Sequence, residues 1–296
     1  MRAGATIREQ ITAGRTMHVV GANDALSALL IEQSGFDAIY VGSYSTSATF
    51  LGKPDLDLMS KSDRLTLVRN VVKSVDIPVI ADIEEGYGNA ISVMDTVRDF
   101  EAAGVAAVQI GDQAMPSKCP VMQGIPAAEL ITVEEMCGKI RSAVSCRRNP
   151  GFTIIVRTDV IGTVSREQYY SQNLMEEVAR RSNAYVKAGA DVVMIMALNE
   201  NELSFYAERI NAPLAGIYAS AEPIPFRAYR ERGYAMAIGT IATLYMYVRS
   251  LVDGLRELKQ SEDWNAISDR LVTDEQFFRI LGLDRYRDMY NEFSIK

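Results

Sequence analysis

The strongest constraint on this chain is a rhythm: a short apolar run followed by a longer helical pattern, eight times in succession. After an amphipathic stretch over 6–13, the runs fall at 18–21, 38–41, 79–81, 107–110, 153–156, 191–195, 213–217 and 234–238. Helices are expected between and after them, over 24–34, 61–75, 91–103, 133–144, 168–188, 202–210, 225–232 and 242–258. Runs this short that are apolar throughout are the mark of parallel strands buried on both faces. Strands alternating with helices build a parallel sheet, and eight units predict a closed (β/α)₈ barrel of the TIM type rather than an open doubly wound sheet. The barrel should occupy 1–260. The remainder, 261–296, carries apolar positions at Ile267, Leu271, Phe277, Phe278, Leu281, Leu283, Tyr286 and Tyr290. It is too short to build a core of its own, so it is expected to be a helical extension packed on the barrel or on a neighbouring subunit.

Composition excludes several partners. Of 296 residues, 48% are hydrophobic and 23% charged, which is globular, and 38 acids against 31 Lys and Arg leave a net charge of −7. There is no basic block to follow a phosphate backbone, so nucleic acid is not expected. No apolar stretch reaches membrane-spanning length and the first residues lack a secretory core, which makes the cytoplasm the default location. Cys119, Cys137 and Cys146 are too few and too unevenly spaced for a disulfide framework or a zinc site.

In a barrel of this kind chemistry sits just beyond the carboxyl ends of the strands. That rule singles out Gly42-Ser43-Tyr44, Asp82-Ile-Glu84, Gly111-Asp112, Arg157-Thr158-Asp159, Met196-Ala197, Tyr218-Ala219-Ser220 and Gly239-Thr240. Asp82 and Glu84 stand two apart, so on an extended backbone both carboxylates face one way. Hard oxygen ligands there suit Mg²⁺, which takes one or two carboxylates and keeps several waters; the alternatives are a helix cap or a pairing with a nearby Lys or Arg. Asp55, in Gly52-Lys-Pro-Asp55, reaches the same ion or is a turn residue. Arg157 follows four β-branched residues, so it aims at an opposite charge, either a substrate anion or a barrel acid.

The connection from Gly111 to Ile131 is the longest after any strand. Structureless loops beyond about 12–15 residues are often active-site lids. It carries Cys119 beside Lys118, whose charge would favour the thiolate; a buried apolar cysteine is the alternative. Cys137 and Cys146 read as structural. The only histidine, His18, opens the first strand, at the end of a barrel that serves stability.

Together, Gly52-Lys-Pro-Asp55-Leu, Ala81-Asp-Ile-Glu-Glu-Gly-Tyr-Gly88-Asn, Lys118-Cys119, Val156-Arg157-Thr158-Asp159 and Ala188-Gly-Ala-Asp-Val192 resemble the isocitrate lyase and phosphoenolpyruvate mutase superfamily, most closely its short 2-methylisocitrate lyase-like members. The resemblance runs from about Gly21 to the carboxyl end. It implies a (β/α)₈ barrel whose last helix is exchanged within a homo-oligomer, a tetramer or a dimer. It implies Mg²⁺, or Mn²⁺ in its place, among Asp55, Asp82 and Glu84, directly or through water. Gly42, Ser43 and Tyr44 would cradle a substrate carboxylate, Arg157 would steady an enolate oxygen, and Cys119 would be the acid or base at the released carbon.

Departures accompany the likeness. The lyase signature Lys-x-Cys-Gly-His is here Ser117-Lys118-Cys119-Pro120-Val121; Gly111 stands for a metal-shell glutamate, with Asp112 one step later; Met196 stands for another glutamate. The implied activity is a C–C lyase acting on a small 2-hydroxy or 2-oxo acid. The alternatives are a decarboxylase, hydrolase or phosphonomutase on the same barrel, and a barrel that has lost catalysis. Met196 and Val121 make the pocket more apolar than a tricarboxylate would want, which points to a substrate with a hydrophobic arm.

Overall fold

The structure is a computed structural model that describes residues 7–294 apart from 121, 123 and 219–223. Eight parallel strands, β1 (Met17–Gly21), β2 (Ala38–Val41), β3 (Val79–Asp82), β4 (Ala107–Gly111), β5 (Thr153–Arg157), β6 (Val192–Met196), β7 (Leu214–Tyr218) and β8 (Met236–Gly239), pair in chain order. They close into the barrel that the rhythm predicts, with Met17 of β1 opposite Met236 of β8. Closure brings backbone against backbone at one seam. A Cβ on Gly21 would stand 2.1 Å from the carbonyl oxygen of Thr240, so only glycine fits there.

The period-2 alternation of each strand sorts its residues into two cores. Val19, Tyr40, Ile80, Ala107, Ile155, Met194, Ile217 and Ile238 form one cluster, closed off by Ile7 of the first helix. Their sequence neighbours Val20, Ile39, Val79, Val108, Ile154 and Val193 form the other, with the apolar faces of the helices. Two steps further along the inward register come Asp82, Gln109, Arg157 and Met196. At that level the inward register is therefore polar on β3 to β5 and apolar on β6.

The helices start where side chains can satisfy their first N–H groups. Ser60 caps Lys61–Ser74, Asn89 caps Ala90–Ala103 and Thr132 caps Val133–Cys146. The single helix expected over 168–188 is two, Arg166–Ser171 and Leu174–Lys187, because Asn173 between them turns left-handed at φ 53°. The chain divides into two compact units, Met1–Ala242 and Thr243–Lys296. The helix Ala242–Ser261, placed with the barrel by its sequence, thus groups with the C-terminal segment. That segment continues through Trp264–Arg270, Asp274–Ile280 and Leu283–Phe293. His18 sits at the start of β1, stacked 4.3 Å from the Phe226 ring, far in register from the mouth.

Candidate active site

At the end of β3 the carboxylate of Asp82 is almost fully buried. Its Oδ1 accepts the Glu84 N–H at 2.9 Å, which turns the chain sharply off the strand. Around Oδ2 the donors run short. Tyr40 has one hydroxyl proton and two acceptors in reach, Gln109 Oε1 at 2.7 Å and Asp82 Oδ2 at 3.0 Å. Ser43 likewise faces Asp55 Oδ2 at 2.8 Å and Asp82 Oδ2 at 3.3 Å. With each proton on its nearer acceptor, Asp82 Oδ2 keeps only the Ser43 N–H at 3.5 Å and Arg157 Nη1 at 3.9 Å. A buried carboxylate oxygen so poorly served is costly unless positive charge sits against it.

Glu84 departs from the expected arrangement. The strand ends at Asp82 and Glu84 takes φ 53°, so the two side chains do not share a face. Glu84 turns to Arg64, a fully buried arginine whose Nη2 donates to Glu84 Oε1 at 2.7 Å. Arg64 also donates to Thr46 Oγ1 at 2.7 Å and to the Tyr87 hydroxyl at 3.0 Å. The pairing with an arginine, one alternative read from the sequence, holds here. Burial pushes the Glu84 carboxyl well up, and Arg64 is the chief force against that shift. Burial also raises Asp55, with the Ser43 hydrogen bond opposing.

Arg157, at the end of β5, meets barrel acids, one of the two kinds of partner expected for it. Its Nη2 donates to Asp159 Oδ2 at 3.0 Å and its Nη1 to Gln109 Oε1 at 3.1 Å, while Asp82 stands at 3.9 Å. Burial works against the guanidinium charge, but Asp159 and Asp82 outweigh it and hold the group protonated. Asp159 is itself fixed from behind: its N–H donates to Asp112 Oδ1 at 2.9 Å. Asp112 Oδ2 accepts from Thr158 at 2.6 Å, Tyr185 at 2.7 Å and Arg181 at 3.2 Å. Gly111 lies in the same wall. A Cβ there would meet Arg157 Nη2, Asp159 Oδ2 and the Glu84 carbonyl each at 3.7 Å, in ordinary contact, so the glycine sits close against the ion pair.

The loop after β4 folds back on the mouth. The Cys119 N–H donates to the Asp55 carbonyl at 3.2 Å, Ala128 N–H to Gly162 and Ile131 N–H to Asp112. Cys119 and Lys118 are half-buried, and Cys146 is buried against the barrel as expected of a structural thiol. Gly42 caps the short helix Ser43–Thr46, which puts Ser43 at Asp82; Tyr44 is half-buried on the same turn. Met196 is half-buried at the end of β6. Val121, Ala219 and Ser220 lie outside the described residues.

Three participants, Tyr40, Gln109 and Arg64, were not singled out by the sequence. Tyr40 and Gln109 were discoverable, since each interrupts an apolar strand on the same inward register as Asp82. Arg64 gave no signal, because an arginine on an amphipathic helix normally faces water. Asp159 was legible only as the neighbour of Arg157.

Among the described residues no three His, Cys, Asp or Glu side chains converge as ligands for one metal. Asp55, Asp82 and Glu84 therefore do not make a three-carboxylate cage. The donor set fits a magnesium-type ion in another way. The hydroxyls and carboxylates of Tyr40, Ser43 and Asp55 offer oxygen beside Asp82 Oδ2, two hydroxyl protons serve three acceptors, and Mg²⁺ characteristically takes one or two carboxylates while keeping waters.

A buried acid and guanidinium at the carboxyl end of a closed parallel barrel stand where α/β-barrel enzymes place their chemistry. The family model for phosphoenolpyruvate phosphomutase matches residues 7–259. The chain is 34% identical to 2,3-dimethylmalate lyase of Eubacterium barkeri over 99% of both chains. Among solved structures it is similar to phosphoenolpyruvate phosphomutase of Streptomyces platensis subsp. rosaceus, with TM-score 0.88 and 28% identity over 97% of this chain and 98% of that one. It is also similar to a phosphonopyruvate hydrolase in complex with oxalate and Mg²⁺, with TM-score 0.85 and 25% identity over 97% of each. The chain belongs to the phosphoenolpyruvate mutase/isocitrate lyase superfamily, a family of lyases and mutases.

Proposed function

We propose that the protein is a Mg²⁺- or Mn²⁺-dependent carbon–carbon lyase that cleaves a small 2-hydroxy or 2-oxo carboxylic acid through an enolate-like transition state. The observation that carries this reading is the under-served Asp82 Oδ2 facing Arg157 across 3.9 Å, one site for a cation beside one for an anion. Asp82 would hold the ion, with Asp55 and Glu84 acting through water. When bound, the ion supplies a Lewis acid for the substrate carboxylate and its neighbouring oxygen. The backbone of Gly42 and Ser43 and the Tyr44 side chain receive the carboxylate. Arg157, held protonated by Asp159, stabilises negative charge developing on the oxygen. Cys119 moves the proton at the released carbon, and Lys118 supplies positive charge beside its thiol.

The half-buried Met196 favours a substrate with an alkyl arm over a tricarboxylate. Gly111, which offers no side chain to a distal carboxylate, supports a second reading, a decarboxylase, hydrolase or phosphonomutase with fewer contacts there. The protein would work in the cytoplasm as a homo-oligomer, dimer or tetramer. The apolar face of Ala242–Ser261, with Met246 and Leu255 about three-fifths exposed, supports a second copy as its cover.

The test joins calorimetric titration with Mg²⁺ to an assay for pyruvate or glyoxylate released from a panel of alkyl-substituted malates and citrates. Mg²⁺ binding with product release from an alkyl malate is the expected result. Binding with no release from any member rejects the lyase, and no binding at all leaves a barrel without catalysis.

A further inference from the structure

Gln113 opens the loop after β4 and, although polar, is only 3% exposed. Every polar atom of its side chain is engaged. Nε2 donates one proton to Asp159 Oδ2 at 2.7 Å and the other to the Lys118 carbonyl at 2.8 Å. Oε1 accepts the Lys118 N–H at 3.0 Å. The amide can sit only this way round, because a flip would set its oxygen against a carboxylate and a carbonyl.

One side chain thus grips both backbone polar groups of Lys118, the residue before Cys119, and ties them to the acid paired with Arg157. Its own backbone is steadied by a bridge to Leu130 across the base of the loop. We infer that Gln113 is a positioning residue, the latch that holds the loop so that Cys119 stays in register with the Arg157–Asp159 pair. The inference rests on the proposed role of Cys119 for its effect on turnover, but the latch itself does not.

Three hydrogen bonds hold the latch, one of them to a carboxylate. Their loss should raise the population of the open loop at least about tenfold to a hundredfold. The probe is alkylation of Cys119 by iodoacetamide in the full-length protein, read by mass spectrometry. Cys137 and Cys146 in the same sample serve as internal references.

Gln113→Leu removes all three bonds. Gln113→Glu keeps the shape and the Lys118 acceptor but loses both donors and faces Asp159. In both, Cys119 labelling should accelerate about tenfold to a hundredfold while Cys146 labelling is unchanged, and turnover on the malate panel should fall through kcat rather than KM. Accelerated labelling with unchanged kcat keeps the latch and removes Cys119 from the proposed mechanism. Cys119 labelling at the wild-type rate in both variants overturns the latch, whatever the activity. If Gln113→Leu unfolds, seen as faster Cys146 labelling, Gln113→Glu decides by the same criterion.

Discussion

Replacing Arg64 by methionine should destabilise this protein more than any other single change at its mouth. The guanidinium is fully buried and spends Nη2 on Glu84, Nη1 on Thr46 and Nε on Tyr87. Methionine fills much of the volume but leaves the buried Glu84 without its countercharge, beside Asp82 and Asp55. Removing one partner of a buried ion pair typically costs about 3–5 kcal/mol, since the remaining charge is stranded. For a domain of this size each kcal/mol lowers the melting temperature by roughly 2–4 °C, so Arg64→Met should melt about 6–20 °C below the parent.

The assay is thermal unfolding followed by circular dichroism in a double-mutant cycle with Glu84→Gln. The double variant has no stranded charge and should regain a large part of the loss, giving a coupling of about 2 kcal/mol or more. A single variant within about 1 kcal/mol of the parent would refute the reasoning, as would a double variant whose loss is the simple sum of the two singles. Either result would mean that the pair is an incidental contact.

Further tests bear on other elements. Under the lyase reading Cys119→Ser should lower kcat by about 10²–10⁴-fold with the melting curve unchanged, whereas a decarboxylase or hydrolase on the same barrel would hardly notice. Gly21→Ala drives a Cβ to 2.1 Å from the Thr240 carbonyl and should cost about 1–3 kcal/mol by urea unfolding, because neither backbone can yield freely. The lone His18 offers a clean titration. Burial lowers its pKa below the ordinary 6.5 although Asp37 opposes, so the single imidazole resonance should titrate below that value. The folded state then binds fewer protons than the unfolded one near pH 6, so stability should fall as pH drops from 6.5 through the folded pKa; His18→Asn should flatten that slope. A midpoint at or above 6.5 overturns the assignment.

The barrel was legible because eight apolar runs and their helices obey local rules, and every strand lies within two residues of its expected place. Asp55, Asp82, Ser43 and Arg157 were legible as the polar punctuation at strand ends, and they do gather. Glu84 was misplaced in direction because its left-handed φ is a property of the turn that no spacing rule contains. Arg64 was invisible, since its burial depends on a helix docking over Glu84 across 20 residues of sequence. The break at Asn173 shows the same limit in small: one residue changing handedness splits a helix whose pattern reads as continuous.

The division of the inward register has a consequence for how a ligand must arrive. Tyr40, Asp82, Gln109 and Arg157 occupy one arc of the rim, and Met196 borders the next, over a barrel core that contains Ile217, Ile238 and Val19. A molecule with an ionised head and a hydrocarbon tail can satisfy both arcs in one orientation only; rotated end for end, it would bury charge against oil and alkyl against acid. The opening is thus polarised, and which end of such a molecule meets the acids is decided by the order of the strands before any bond is touched.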